Sequence, residues 1–347
     1  MQVLDGYDVI ETVAAQDWVL DHQVGMVGLS YPGISQIFVA GANPPSLRAI
    51  TPLSVYGDTA TGVLAPGGLL NTGFATSWAD GVLANAEPNG TGWVRELIAD
   101  GDTQCEDNQQ LRLQNVDATA KARSEPFYTD EVAGPLDLRR VVGDVEAAVL
   151  MASAFQDEQT GPSFGDLLGE WDSAESVHQI VYNGLHADGV APQVLAEGAA
   201  FLDLYLKEEV PSVPAGLSLL TPIFTSGVFG GNVALPPSRW TGVADHAEAL
   251  AQWEAEDPIR ILFENGGQSG DPFIGPGAAQ ASFELSLDQW PPAGLVPTSW
   301  YMQGDGSLSQ VPPVAADSKS SFAHSNEKGA ETYDVNDSFE QALPDIT

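Results

Sequence analysis

Basic residues are scarce in this chain: 12 Lys and Arg stand against 48 Asp and Glu, a net charge of −36 over 347 residues. Lysine occurs only at Lys121, Lys207, Lys319 and Lys328. A surface this negative repels phosphodiester backbones and anionic headgroups, which excludes nucleic acid and anionic membranes as partners. The acids are spread along the whole sequence, which fits a solvation strategy for salty surroundings better than a field that gathers cationic substrates. Cysteine is nearly absent too. Cys105 stands alone, so no intrachain disulfide can form and the redox compartment is left undetermined. No apolar run has the length needed to cross a bilayer, and the composition is that of a soluble globular protein without membrane insertion. Met1 is followed by Gln2-Val3-Leu4-Asp5-Gly6, with neither the basic start nor the apolar core of a secretory signal, and no compartment is indicated. Metal-ligand patterns are lacking as well. Asp100-Gly101-Asp102 begins like a calcium loop, but Cys105 takes the place of the turn glycine and Leu111 that of the bidentate acid, so a solvated loop or helix start is expected.

What the sequence does contain is a short apolar strand, Val24-Gly25-Met26-Val27, running into Gly28-Leu29-Ser30-Tyr31-Pro32-Gly33 and then a helical stretch from Ile34 to Ala42. A serine between glycines at a strand-to-helix turn is how a hydrolase presents a nucleophile, because only small neighbours allow so sharp a bend. The second glycine falls one place later than in the general pattern, with Pro32 where it is expected; Pro32 suits the first turn of a helix, which needs no donor there.

The segment from Tyr7 to Leu20 carries apolar residues at helical spacing, and Leu47–Leu53, Ala147–Ser153 and Val177–Tyr182 read as further strands. Helices alternating with strands imply a parallel sheet. From Pro66-Gly67-Gly68 to about Leu136 the character changes to polar helical stretches holding Trp78, Trp93, Phe127 and Tyr128, a mainly helical insertion. Beyond Pro211 and Pro214 short strands between Gly/Pro turns, clearest at Ile259–Phe263, Ala281–Leu285 and Thr298–Met302, suggest a second, all-β domain of sandwich type. The expected organisation is an α/β core from residues 1–65 and 141–210, a helical cap from 66–140, and a β-sandwich from 211–347.

Asp157 lies just past the end of one expected strand and His186 just past another, in Gln156-Asp157-Glu158-Gln159-Thr160-Gly161 and Asn183-Gly184-Leu185-His186. Ser30, Asp157 and His186 thus follow in the order nucleophile, acid, histidine, each after a parallel strand, which is the order of α/β-hydrolases. The chemistry requires it: the histidine takes the serine proton, and the acid fixes its tautomer and stabilises the imidazolium. Glu158 adjoins Asp157, and local physics alone leaves both open as the acid. His178 lies inside a strand, and His22, His246 and His324 in loops or polar helical stretches, where packing or solvent roles are expected.

These segments, together with Pro66-Gly67-Gly68-Leu69-Leu70-Asn71-Thr72-Gly73-Phe74 and Leu202-Asp203-Leu204-Tyr205-Leu206-Lys207, make the chain resemble the Xaa-Pro dipeptidyl-peptidase-like hydrolases, the group that includes cocaine esterase, glutaryl acylases and α-amino-acid ester hydrolases. The resemblance runs over nearly the whole length. It implies an α/β-hydrolase core under a helical cap, followed by an all-β jelly roll. It further implies Ser30 as nucleophile, Asp157 as acid, His186 as base and the backbone N–H of Tyr31 as one oxyanion donor, with no metal or organic cofactor. Phe74 and Trp78 are candidates to line an acyl pocket. Members of this group have several strands before the elbow and a tyrosine there that supplies the second oxyanion donor; no residue of this chain matches it, and the jelly roll stops short. The expectation is an internal fragment of a longer enzyme, with amino-terminal strands missing.

Three readings of function follow. The leading one is a serine hydrolase acting by acyl transfer on a small-molecule ester or amide or a short peptide; the second is an aminopeptidase releasing Xaa-Pro dipeptides. The third is a truncated or degenerate, non-catalytic binding module. Homo-oligomerisation is left open.

Overall fold

The computed structural model describes residues 2–114, 117–125, 128–213, 233–263 and 279–314, with isolated positions between 216 and 229. Phe127, His324 and the part of the expected β-sandwich beyond residue 314 lie outside the described residues. Helix α1 (Gln2–Ala14) precedes strand β1 (Val24–Leu29), helix α2 (Tyr31–Ala40) and strand β2 (Leu47–Leu53). Strands β3 (Ala148–Ala154) and β4 (Val177–Tyr182) follow, then helices α7 (Pro192–Leu202) and α8 (His246–Glu254) and strands β5 (Ile259–Phe263) and β6 (Phe283–Leu287). Helices α3 (Phe74–Ala86), α4 (Gly92–Ala99), α5 (Thr103–Asn108) and α6 (Ala118–Ser124) fill the interval between β2 and β3.

The six strands form one sheet in the order β1-β2-β3-β4-β5-β6, parallel from β1 to β5 and antiparallel between β5 and β6. Strands buried on both faces read as near-continuous apolar runs, and β3, Ala-Val-Leu-Met-Ala-Ser-Ala, is buried at every position. Its side chains alternate between two cores, as the period of two demands. Val149 and Met151 pack with Ile34, Ile37 and Ile50 beneath α2, whereas Leu150 and Ala152 pack with Phe201, Leu204 and Trp253 beneath α7 and α8. No helix among the described residues is long and apolar enough to cross a membrane.

The carboxy-terminal strands differ from expectation. Ile259–Phe263 does not open a separate sandwich; it pairs in parallel with β4, Gln179 opposite Ile259 and Tyr182 opposite Leu262, and β6 pairs with it in turn. The reason lies in its faces: Ile259 and Ile261 enter one core and Leu262 the other, so β5 is buried between two helical layers. The helix His246–Glu254, which the β-rich reading did not anticipate, buries Ala249 and Trp253 in the second core. Past β6 the described strands are β7 (Tyr301–Met302) and β8 (Leu308–Ser309), a two-stranded antiparallel ribbon that does not by itself make a jelly roll.

The helical cap leaves and re-enters the core at one point. Asp58, fully buried, accepts hydrogen bonds from Ala60 N and Thr61 N and bridges in antiparallel fashion to Asp137, while Leu138 N donates to Gly57 O. Arg139 sits over this junction, 2.7 Å from Asp137, 3.7 Å from Asp58 and 3.4 Å from Asp166.

Candidate active site

Ser30 occupies the bend between β1 and α2 with φ 65° and ψ −129°. A non-glycine residue at positive φ is strained, and such strain persists only where the surroundings enforce it. Here the enforcement is visible. Ser30 N donates to Leu53 O at 2.8 Å, tying the bend to the end of β2, and Ile34 N donates to Ser30 O at 2.8 Å, starting the helix. The flanking glycines sit where no side chain fits: a Cβ on Gly28 meets Pro32 Cβ at 2.5 Å, and one on Gly33 meets Leu53 O at 2.6 Å and Gly28 O at 2.8 Å. Position 32 faces solvent, so proline is tolerated there and the glycine is needed one residue later. The displaced glycine is therefore a feature of this packing. Tyr31 is the first residue of α2, so its N–H has no intrahelical acceptor, and the positive end of the helix dipole lies at the turn.

Asp157 and His186 meet at the ends of β3 and β4. His186 Nδ1 lies 2.7 Å from Asp157 Oδ2, and both residues are buried, at 5% and 6% exposure. An ionised carboxylate only accepts, so Nδ1 donates the proton of this bond and Nε2 is not engaged by it. The second oxygen, Oδ1, accepts from Gln159 N at 2.8 Å and Thr160 N at 2.7 Å. Burial pushes the Asp157 carboxyl up, and the bonds from His186 and the Thr160 backbone outweigh it, holding the group below its ordinary value. Glu158, the alternative acid, is not on the imidazole: its Oε2 accepts the backbone N–H of His186 at 2.9 Å.

Strand β2 lies between the Ser30 bend and this pair. Ser54, the residue after β2, is buried and donates its hydroxyl to His186 O at 2.8 Å, and the Tyr182 hydroxyl lies 3.3 Å from Ser54 Oγ. A Cβ on Gly189, in the turn His186–Val190, would meet Leu29 Cδ1 and Ser54 Oγ, both at 2.6 Å, so that turn lies against the elbow. Among the described residues no hydrogen bond joins Ser30 Oγ to His186 Nε2; the structure brings the three to one end of the sheet and closes only the Asp157–His186 bond.

Above the elbow stands the cap. Tyr31 and Trp78 face each other with ring centroids 6.2 Å apart, each about half exposed, and Phe74 begins the same helix one turn earlier. Phe155, packed on Phe164 at 5.6 Å and 41% exposed, adds an aromatic surface between β3 and Asp157.

The remaining candidates take structural parts. His178 is buried in β4 against Trp253, ring centroids 4.6 Å apart, and burial pushes it down to about 4, so it is neutral at ordinary pH. His22 Nδ1 contacts Ala14 O at 2.7 Å and His246 Nε2 contacts Leu204 O at 2.9 Å. In the acidic run at Asp100, Asp102 caps α5 by accepting from Cys105 N at 2.8 Å. Among the described residues no group of three or more His, Cys, Asp or Glu could hold a metal ion.

The sequence reading missed Ser54, Tyr182 and Asp188. Asp188 Oδ2 accepts from Leu185 N at 2.8 Å, and burial, followed by the charges of Glu158 and Asp157, pushes its carboxyl up to about 6. All three act on the backbone or surroundings of the histidine, and no spacing rule announces such contacts.

Residues 1–188 match the family model described as X-Pro dipeptidyl-peptidase (S15 family). No curated protein matches the chain. Among solved structures, a CocE/NonD family hydrolase from Staphylococcus aureus superposes with a TM-score of 0.54 at 18% identity, over 89% of this chain and 42% of that one. An aminopeptidase from a marine sediment Thaumarchaeota archaeon gives 0.49 at 16% identity, over 91% and 46%. The chain thus spans less than half the length of these structures, and the first of them shows a shared fold.

Proposed function

The chain belongs to the X-Pro dipeptidyl-peptidase (S15) family, and on that premise we propose that it is a serine hydrolase cleaving ester or amide bonds by acyl transfer through Ser30, His186 and Asp157. The observation that carries the reading is the buried Asp157–His186 pair, 2.7 Å apart, at the sheet end where Ser30 is held in a strained bend. In the proposed reaction Ser30 Oγ attacks the substrate carbonyl while His186 Nε2 accepts the hydroxyl proton. The developing oxyanion lies at the start of α2, where Tyr31 N–H donates to it. His186 then returns the proton to the leaving alcohol or amine. Water, deprotonated by the same nitrogen, attacks the acyl-enzyme and releases the acid and free Ser30. Asp157 keeps the tautomer with Nδ1 protonated and stabilises the imidazolium.

Tyr31, Phe74 and Trp78 form the proposed wall of the acyl pocket, and their apolar rings favour an uncharged acyl group. For the region beyond β6 we retain the jelly roll as the proposed architecture, supported by the resemblance and by the β7–β8 ribbon. The family description favours release of Xaa-Pro dipeptides as the second reading. Turnover of an uncharged p-nitrophenyl ester and of an Xaa-Pro p-nitroanilide, in molar salt with Ser30→Ala as control, separates the two. Ester turnover that Ser30→Ala abolishes is expected; turnover of the anilide alone selects the peptidase, and no turnover of either by the folded chain selects the non-catalytic module.

A further inference from the structure

His186 has to aim Nε2 at Ser30, yet a single bond from Nδ1 to Asp157 leaves the ring free to swing about that bond. The backbone of His186 is where the remaining freedom is removed. Its N–H donates to Glu158 Oε2 at 2.9 Å, its carbonyl accepts from Ser54 Oγ at 2.8 Å, and the N–H of the preceding Leu185 donates to Asp188 Oδ2 at 2.8 Å. Ser54 donates to the carbonyl, so the Tyr182 hydroxyl, 3.3 Å away, is the one that donates to Ser54.

Of these contacts the one from Glu158 is distinctive. Asp157 and Glu158 are adjacent on one loop and grip one residue at two points, the first at the ring and the second at the main chain. Two attachments from a common base fix rotation as well as distance, as a bidentate pair does. The base is itself braced, because Asp157 Oδ1 accepts both Gln159 N and Thr160 N. Glu158 is exposed, so hydration competes for its carboxylate, but a charge-assisted bond to a buried N–H favours the docked arrangement.

We infer that Glu158 is a positioning residue for His186, acting through the backbone N–H and not as the catalytic acid. The inference rests on the serine-hydrolase reading for its consequence in rate, and on geometry alone for its consequence in structure. The groups facing His186 are Asp157, Glu158 and Asp188, with the Tyr182 hydroxyl behind Ser54.

The test compares Glu158→Ala, which removes the acceptor, with Glu158→Gln, which keeps an acceptor and removes the charge. The first readout is the low-field Nδ1 proton of His186 in the NMR spectrum of the whole chain, assigned by its loss in His186→Gln. It is expected to persist in Glu158→Gln and to vanish or broaden by exchange in Glu158→Ala, with circular dichroism unchanged. The second readout is ester turnover. In Glu158→Ala kcat falls on the order of tenfold to a hundredfold with KM unchanged, as for a misaimed base. Glu158→Gln stays within about threefold of the parent, because the neutral acceptor still makes the bond.

A low-field proton that survives in Glu158→Ala overturns the inference. So does a Glu158→Gln variant as impaired as Glu158→Ala with its acid limb shifted to lower pH, since Glu158 then acts by charge. If the proton behaves as expected while the parent turns over no ester, positioning stands and the hydrolase reading falls.

Discussion

Replacing Gly33 by alanine sets two physical effects against each other. Gly33 lies in the first turn of α2, where helix propensity alone favours alanine by about 1 kcal/mol. Packing opposes it. The added Cβ would lie 2.6 Å from Leu53 O, 2.8 Å from Gly28 O and 3.0 Å from Leu53 N, all main-chain atoms that cannot rotate away. Ordinary contact begins near 3.4 Å, so α2 must lift from the ends of β1 and β2 by roughly 0.6 to 0.8 Å. Overpacking of this kind costs about 1–3 kcal/mol, which leaves a net loss of up to about 2 kcal/mol and a Tm lower by up to a few degrees. The same shift moves Ser30 against His186 and carries Tyr31 N–H away from the oxyanion, and a misplacement near 1 Å slows a reaction by on the order of a hundredfold. Fluorophosphonate labelling of Gly33→Ala is therefore expected to be slower than that of the parent by on the order of tenfold or more. Gly198, in the interior of α7 with nothing within 4 Å of its would-be Cβ, is the internal control, and Gly198→Ala should raise Tm. The reasoning is refuted if Gly33→Ala is as stable as Gly198→Ala and labels at the parental rate.

Three further outcomes are expected. Asp157→Asn lets the imidazole adopt the wrong tautomer and should lower kcat on the order of a thousandfold or more with the chain still folded; loss of less than tenfold, read by ester turnover, assigns the acid elsewhere. Raising salt from low to molar shortens the screening length from about 10 Å to 3 Å and should raise Tm in a chain of charge −36, as scanning calorimetry will read; a flat or falling Tm removes the halophilic reading. Asp188, pushed up to about 6, stabilises the fold while protonated: that contribution is complete below its unfolded value near 4 and is lost as pH rises to 6. Denaturant titrations should show Asp188→Asn recovering up to about 3 kcal/mol relative to the parent above pH 6, and little below pH 4; a pH-independent difference contradicts the assignment.

Much of this architecture was legible in the sequence because parallel strands buried on both faces write themselves as apolar runs. Val149, Leu150 and Met151 announce β3 whichever core each one enters. The elbow was legible for a different reason: strain at Ser30 demands small neighbours, and Gly28 and Gly33 supply them. The place of β5 was not. Its local pattern, Ile259 to Phe263 among Gly/Pro-rich turns, is that of any short strand, and only its pairing with β4, some 80 residues earlier in the chain, assigns it to the core sheet. The surroundings of His186 were hidden likewise, since Ser54 acts across 132 residues and Glu158 across 28, each on a main-chain atom that every residue type possesses. Between neighbours such as Asp157 and Glu158 the sequence carries no distinction; the hydrogen bonds supply it, one to the ring and one to the backbone.

The most direct measurement is the intact mass of the chain after reaction with a fluorophosphonate probe in molar salt, beside Ser30→Ala. The account predicts a single adduct on the parent that Ser30→Ala abolishes. No adduct on a chain that circular dichroism shows to be folded, or an adduct that survives in Ser30→Ala, contradicts it.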